Sequence, residues 1–171
     1  MEKYDLEALR EKYKPTNVRV LFICESPPIN TFFYMRNSIL YYATVEAFKN
    51  IYAQEIADFL EFFKEKGFYL IDLISERGKK LTQLKDVEKI SVKEMLKEKL
   101  LKLRPKSIII TPKEISDFVL SAIKELTETQ QLKINLREDI IELPFPTFRR
   151  KEYISGLTKW LKNLIERRVI Q

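Results

Sequence analysis

Four short apolar runs divide the chain, and they cover residues 18–24, 68–74, 107–111 and 138–143. Together they are rich in isoleucine, valine, leucine and phenylalanine, and each leads into a segment of prolines or charged residues. Runs of this length and composition are typical of buried β-strands. The pattern therefore predicts four strands, each followed by a polar loop.

Between these runs, apolar residues recur every three or four positions, which is the spacing of one helix face. One long helix is predicted over residues 38–66, and Gly67 marks its carboxyl end. Capping-box sequences at 91–94 and 111–114 predict the starts of two further helices, because a hydroxyl and a glutamate can satisfy free backbone amides there. A final amphipathic helix is predicted around residues 154–165.

Strands that alternate with helices pair in parallel through right-handed crossovers. We therefore expect one α/β domain over residues 1–171, a three-layer α/β/α sandwich around a central four-stranded, mainly parallel sheet. Ligands of such sheets bind beyond the carboxyl ends of the strands. The loops that qualify cover residues 25–34, 72–80, 111–113 and 145–151.

The composition argues against several classes of catalytic and metal site. The chain has no histidine and a single cysteine, Cys24. Ser-His and Cys-His nucleophile pairs, most catalytic zinc sites and four-cysteine iron–sulfur sites are therefore not expected. We expect neither a metal nor a cofactor. Any catalysis would depend on carboxylates, lysines, hydroxyls or backbone dipoles.

Positive charge is concentrated near the carboxyl end of the sequence. Residues 147–171 carry seven basic and two acidic side chains, which supplies +5 of the net charge of +6. A localised basic surface suits a polyanionic partner, and a solvated helix face would have the same composition.

The Lys, Glu and Ile content is thermophile-like. Residues 1–13 are charged and helix-prone, and no run of about 18 uncharged apolar residues occurs. We expect a cytoplasmic protein without membrane contact, and a monomer.

The loop sequences resemble those of a known family. Strand one ends in Cys24-Glu25-Ser26-Pro27-Pro28, strand two ends in Ile71-Asp-Leu-Ile74, and the last strand leads into a proline loop with Arg149 and Arg150. In this order they resemble the uracil-DNA glycosylase superfamily. Its thermophilic branch carries Gly-Glu-Ala-Pro-Gly after strand one, which matches at Glu25 and Pro27. The family's closing His-Pro motif is Phe145-Pro146 in this chain.

The resemblance implies a uracil-DNA glycosylase-like fold and a site for a base flipped out of DNA. Glu25 would be the catalytic carboxylate that stabilises a cationic sugar, or else it would cap a helix or pair with a lysine at the rim of the sheet. An aromatic floor for the base would come from Phe32, Phe33 or Tyr34, unless these rings belong to the core. Asp72 stands where the family has a base-reading Asn. As an acceptor it would suit the two donors of a guanine edge, and capping of a nearby loop is its alternative role.

The resemblance also implies a DNA-binding surface. Phe145 or Phe148 could insert into a duplex while nearby cations hold phosphates, or both rings could pack under the last helix. The candidate phosphate contacts are Arg149, Arg150, Lys151, Arg77, Lys79 and Lys80.

Three functions remain open on the sequence. The first is a DNA-repair hydrolase that cleaves the N-glycosidic bond of a deaminated or damaged base in single- or double-stranded DNA. The second is a catalytically inactive nucleic-acid-binding protein with the same fold, which the absence of histidine favours. The third is an enzyme acting on a free nucleoside or nucleotide, with the capped helix after Thr111 receiving an anion. No glycine-rich phosphate loop supports the third function.

Overall fold

The computed structural model describes residues 5–171, and the sheet at its centre has four strands, all parallel. The strands are β1 (Val20–Cys24), β2 (Phe68–Asp72), β3 (Ser107–Ile110) and β4 (Ile140–Glu142). Their order across the sheet is β2-β1-β3-β4. Every residue of β1, β2 and β3 is buried, as in parallel sheets that are covered on both faces.

The same residues form six α-helices. They are α1 (Leu6–Lys12), α2 (Ile39–Tyr52), α3 (Phe59–Glu65), α4 (Asp86–Leu103), α5 (Ser116–Glu128) and α6 (Arg150–Glu166). Helix α2 packs on α6, and α4 packs on α5. The connections β1–β2 and β2–β3 cross the sheet in opposite directions, so right-handed crossovers place their helices on opposite faces. The predicted three-layer sandwich is confirmed. Within residues 5–171, no helix is both long and apolar enough to cross a membrane.

The single helix predicted over residues 38–66 is wrong, because the chain forms two helices there. Helix α2 ends where Ala53 adopts a positive φ of 46°. Helix α3 begins after Asp58, whose side chain accepts a hydrogen bond from the backbone N–H of Glu61 at 3.2 Å. This N-cap satisfies a free amide and restarts the helix in a new direction. Gly67, with φ of 86°, follows the end of α3 as predicted.

The capping box predicted at 91–94 is also wrong. Helix α4 begins nearly two turns earlier, at Asp86, and Ser91 lies inside it. The reciprocal contact at its start comes from Glu88, whose side chain accepts a hydrogen bond from the backbone N–H of Lys85 at 3.0 Å. Two acidic residues in the first turn also interact favourably with the helix dipole.

The capping box predicted at 111–114 does not form either. The Thr111–Pro112 peptide is cis, and a 3-10 turn over Lys113–Ile115 precedes α5. The Thr111 hydroxyl is buried and makes no hydrogen bond to the part of the chain that is described. The predicted helix is present, but it starts at Ser116 without a side-chain cap.

A buried hydrogen bond joins α2 to α6 and so fixes the loop that leads into α6. The hydroxyls of Tyr153 and Thr44 lie 2.7 Å apart, and both residues are fully buried. The Thr44 hydroxyl donates to the Leu40 carbonyl at 2.6 Å. Tyr153 is therefore the donor in the bond between the two helices.

We expect Tyr153→Phe to lower the free energy of unfolding by about 1 kcal/mol, because it removes one buried hydrogen bond and keeps the ring packing. Urea denaturation measures the change. Tyr42→Phe is the matched control, since the Tyr42 side chain lies largely in solvent. Equal midpoints for both variants would contradict the assigned bond.

Candidate functional site

The edge of the sheet at which all four strands end carries the predicted site loops. The chain leaves β1 towards β2 on one side and leaves β3 towards β4 on the other. At such a reversal the connecting loops diverge and leave a crevice beyond the strand ends. The loop after β1 and the turn after β3 border this crevice. The segments after β2 and β4 begin at the same edge, because all the strands are parallel.

Glu25 follows β1 directly and is half-buried. Its Oε2 accepts a hydrogen bond from the backbone N–H of Leu81 at 2.9 Å, at the start of the 3-10 turn Leu81–Gln83. Oε1 makes no hydrogen bond to any residue within 5–171. The carboxylate thus performs the capping role considered for it, and one of its oxygens remains available.

Arg77 makes three hydrogen bonds to the loop after β1. Its Nη1 donates to the carbonyl oxygens of Pro28, Ile29 and Thr31 at 2.9, 2.9 and 3.2 Å. A guanidinium that satisfies three carbonyls fixes the path of the loop. The structure therefore shows a structural role for Arg77, and its phosphate contact stays a prediction.

The three candidate residues for the aromatic floor are all buried. Phe33 is 2% exposed and its ring packs in the core. The Tyr34 hydroxyl accepts a hydrogen bond from the backbone N–H of Leu70 at 2.8 Å. Phe32 is 1% exposed, and its ring lies below the guanidinium of Arg10, with 5.1 Å between Cζ and the ring centroid. All three rings therefore belong to the core, and Phe32 is the one that contacts Arg10.

Asp72, at the end of β2, forms a buried ion pair with Arg10 of α1. The Arg10 Nη2 donates to Asp72 Oδ2 at 2.9 Å, and Nη1 donates to the Leu70 carbonyl at 2.9 Å. Both side chains are about 6% exposed. Asp72 therefore does not cap a nearby loop, because its partner is an arginine distant in sequence.

Burial dominates the electrostatics around this pair. It raises the pKa of the Asp72 carboxyl, and the charge and hydrogen bond of Arg10 oppose the rise. Lys99 lies half-buried on α4, where burial and then the Arg10 charge lower the pKa of its ammonium. Burial also raises the pKa of the Cys24 thiol well above its ordinary value. Cys24 is therefore a protonated, inert core residue.

A small cavity unites several of the predicted residues. Its lining includes Phe32, Phe33, Asp72 and Phe145, and its volume is about 30 Å³. That volume holds about one water and is far below the roughly 300–1,000 Å³ of ligand pockets. Larger clefts of about 460 and 310 Å³ lie beside α1, and Arg10 lines both. The side chain of Arg10 therefore lies between open clefts and the closed floor of the site.

The loop between β4 and α6 separates its two phenylalanines. Phe145 is half-buried and packs on the core, where it lines the small cavity. Phe148 is 96% exposed. The alternative in which both rings pack under α6 is therefore wrong for Phe148, and the ring is free to contact a partner.

The basic residues around Phe148 differ in their ion pairs. Arg150 pairs with Glu46 of α2, which neutralises its charge. Arg149 approaches Glu152 at 3.7 Å, and both side chains are exposed. Lys151 is exposed and has no ion pair with another residue in the described range. Arg149 and Lys151 are thus the cations most available beside Phe148.

The remaining predicted phosphate contacts lie in the loop after β2. Lys79 lies 3.8 Å from the carboxylate of Glu76, an exposed pair of little strength. Lys80 is exposed and forms no ion pair within residues 5–171. The helix predicted to receive an anion after Thr111 begins instead at Ser116, whose hydroxyl is buried without a partner among those residues.

No family model matches the chain, and no curated protein matches its sequence. The resemblance to the uracil-DNA glycosylase superfamily therefore stays a prediction from the loop residues. The functional argument depends on the geometry of the site.

Arg10 is the site residue that the sequence did not indicate. The signal was present, since Leu6, Leu9 and Tyr13 define the apolar stripe of α1 and Arg10 falls on the same stripe. A charged residue on the apolar side of a short helix points to a buried partner. Its partner lies 62 positions away, so the sequence did not identify it.

We expect Arg10→Ala to lower the free energy of unfolding by about 3–5 kcal/mol, because it leaves the Asp72 carboxylate buried without its partner. In an Asp72→Asn background the same change should cost clearly less, since no buried charge remains. Urea denaturation of the four proteins measures both effects.

Arg36→Ala is the control for the loss of an arginine. Arg36 pairs with Asp58, but their side chains are 44% and 41% exposed, so the expected loss is below about 1 kcal/mol. Equal losses for Arg10→Ala in both backgrounds would contradict coupling between Arg10 and Asp72.

Proposed function

We propose that this protein binds nucleic acid, single- or double-stranded, through the edge of the sheet at which the strands end. The observation that carries the proposal is the exposed ring of Phe148, at 96% exposure, followed in the chain by the exposed side chains of Arg149 and Lys151. An apolar ring next to phosphate-binding cations is suited to stacking on bases or wedging between them.

Other exposed apolar side chains at the same edge support this surface. Ile29 lies in the loop after β1, and Ile39 and Tyr42 lie in the first turn of α2. They are 69%, 50% and 55% exposed. Apolar groups among cations offer stacking area next to phosphate contacts, which suits a nucleic acid better than a small anion.

The closed floor of the site supports binding over chemistry. Arg10 covers the ring of Phe32 and satisfies Asp72, and the remaining cavity of about 30 Å³ is too small for a base. Glu25 already holds the turn at Leu81 through one oxygen. In this conformation a base can contact the exposed side chains at the rim of the site, such as Phe148, Arg149 and Lys151. It cannot reach the floor, which Phe32 and Asp72 form.

We expect Phe148→Ala to weaken binding of a fluorescent oligonucleotide by about 1–3 kcal/mol, because one base loses its stacking partner. Leu136→Ala is the control, since this exposed apolar residue precedes β4 at the opposite edge. Fluorescence anisotropy with single- and double-stranded oligonucleotides measures both. A Leu136→Ala loss as large as that of Phe148→Ala would contradict the assigned surface.

We expect Arg149→Ala and Lys151→Ala each to reduce the slope of log K against log salt by about one, because each removes one phosphate contact. Lys106→Ala should leave the slope unchanged, since Lys106 is exposed just before β3 at the other edge. Binding that does not depend on salt in the wild type would overturn the proposed function and favour a small-molecule ligand.

Base excision is the second candidate, and one observation favours it. Phe32, Phe33 and Asp72, the residues predicted to contact a flipped base, line one cavity together with Phe145. Glu25 follows β1 and keeps Oε1 free of hydrogen bonds to residues 5–171. A carboxylate with one free oxygen can stabilise a cationic sugar once the floor is open.

A single-turnover excision assay at high temperature tests this candidate. The substrates are oligonucleotides with uracil, hypoxanthine, xanthine or a mismatched base. We expect Glu25→Gln to reduce any excision rate at least 100-fold, because it removes the charge while an amide oxygen can still accept from Leu81 N–H. Salt-dependent binding without abasic product would exclude excision of these bases and leave the binding function.

A further inference from the structure

The contacts of Arg10 have the geometry of a bound ligand. A planar guanidinium lies over the Phe32 ring, with 5.1 Å from Cζ to the centroid. Its Nη2 donates to Asp72 Oδ2 and its Nη1 to the Leu70 carbonyl, both at 2.9 Å, while Nε donates to Glu7 of the same helix at 3.3 Å. Proteins recognise planar groups with two N–H donors in this way, by stacking on one ring face and by hydrogen bonds to two adjacent acceptors.

The acceptors are held in place independently of Arg10. The Tyr34 hydroxyl accepts from the backbone N–H of Leu70 at 2.8 Å, and β1 and β2 pair through Cys24 and Asp72. The backbone N–H of Phe32 donates to the Asn37 side chain at 2.9 Å. Ring and acceptors therefore keep their positions when the guanidinium leaves.

Helix α1 is short and most of its side chains are exposed, while Tyr13 directly after it is buried and stacks on Tyr34. Arg10 is its one buried residue, and Leu6 and Leu9 are only partly buried. Its main packing is against the 3-10 turn Phe33–Met35. Arg10 lines the clefts of about 460 and 310 Å³, and Asp72 also lines the second, so an incoming group can reach the pair without unfolding of the sheet.

We propose that Asp72, the Leu70 carbonyl and the Phe32 ring form a binding site for a planar group with two adjacent N–H donors, and that Arg10 fills it as an internal ligand. An external ligand then binds by displacing α1. The group can be a guanine base, through its N1–H and 2-amino donors, or a free guanidinium compound. Guanine as the ligand rests on the proposed function, whereas the existence of the binding site does not.

The first experiment asks whether the site exists, and it uses methylguanidinium as the probe. Arg10→Ala should gain a saturable rise in Tm with methylguanidinium chloride, while the wild type and Arg36→Ala should not. Methylammonium, a cation of equal charge that is not planar, should give a smaller rise. The double variant Arg10→Ala/Asp72→Asn should lose the effect. Equal shifts in the wild type, Arg36→Ala and Arg10→Ala would overturn the site.

The second experiment uses the wild-type chain, so it does not depend on the stability of a variant. Hydrogen exchange of the α1 amides is measured with thymidine oligonucleotides that contain one central guanine or one central hypoxanthine, which lacks the 2-amino group. Guanine should accelerate exchange in α1 at saturation, and hypoxanthine should not. Arg10→Ala should bind the guanine oligonucleotide about tenfold more tightly than the wild type or better, because no internal ligand competes.

The outcomes separate the two proposals. Binding of both oligonucleotides with α1 protection unchanged would overturn displacement and leave the nucleic-acid function intact. Failure to bind either one would overturn the nucleic-acid function, and a positive methylguanidinium result would then assign the site to a free guanidinium compound. A negative result in both experiments would overturn the internal-ligand proposal.

Discussion

The parallel pairing of four strands is the constraint on which the rest of the structure depends. Parallel neighbours need a crossover, and each crossover brings a helix onto one face of the sheet. The strands β1, β2 and β3 are thereby buried along their whole length. All polar loops that follow the strands are consequently forced to one edge. Residues as distant in sequence as Glu25, Asp72 and Phe145 become neighbours there for this reason.

The buried ion pair between Arg10 and Asp72 is the most costly feature of this edge. Removing a guanidinium and a carboxylate from water carries a desolvation cost that their attraction only partly offsets. Two apolar side chains of similar volume would commonly stabilise the fold as well or better. The pair joins a short helix to the floor of a cavity and lies over an aromatic ring, and the internal-ligand proposal depends on this arrangement.

The rim and the floor of the site have separate chemistry. The rim has the exposed ring of Phe148 and cations that are largely free of partners, which is suited to a strand of nucleic acid. The floor is acidic, aromatic and closed by Arg10, which is suited to one donor-rich planar group. Contact at the rim would bring a base to the floor at high local concentration. The two proposals would then describe successive steps, and the existence of the floor site does not depend on binding at the rim.

The sequence by itself determined the fold class, because buried parallel strands read as continuous apolar runs and the intervening helices read as periodic stripes. It also determined which loops meet, since parallel strands end at one edge. It did not determine where helices begin and end. Helix α2 ends at Ala53, which has a positive φ although no glycine or proline stands there to indicate a break. Helix α4 is capped by Glu88, whereas Ser91 was the predicted cap.

Only the tertiary structure decided what each site residue contacts. Phe32 and Phe33 are adjacent and identical in type, yet Phe32 lies under the guanidinium of Arg10 whereas Phe33 packs on Phe63. Burial of Asp72 demanded a partner, and the partner came from α1, 62 positions earlier in the chain. Pairings of this kind depend on how elements pack across the sheet, which local periodicity does not encode.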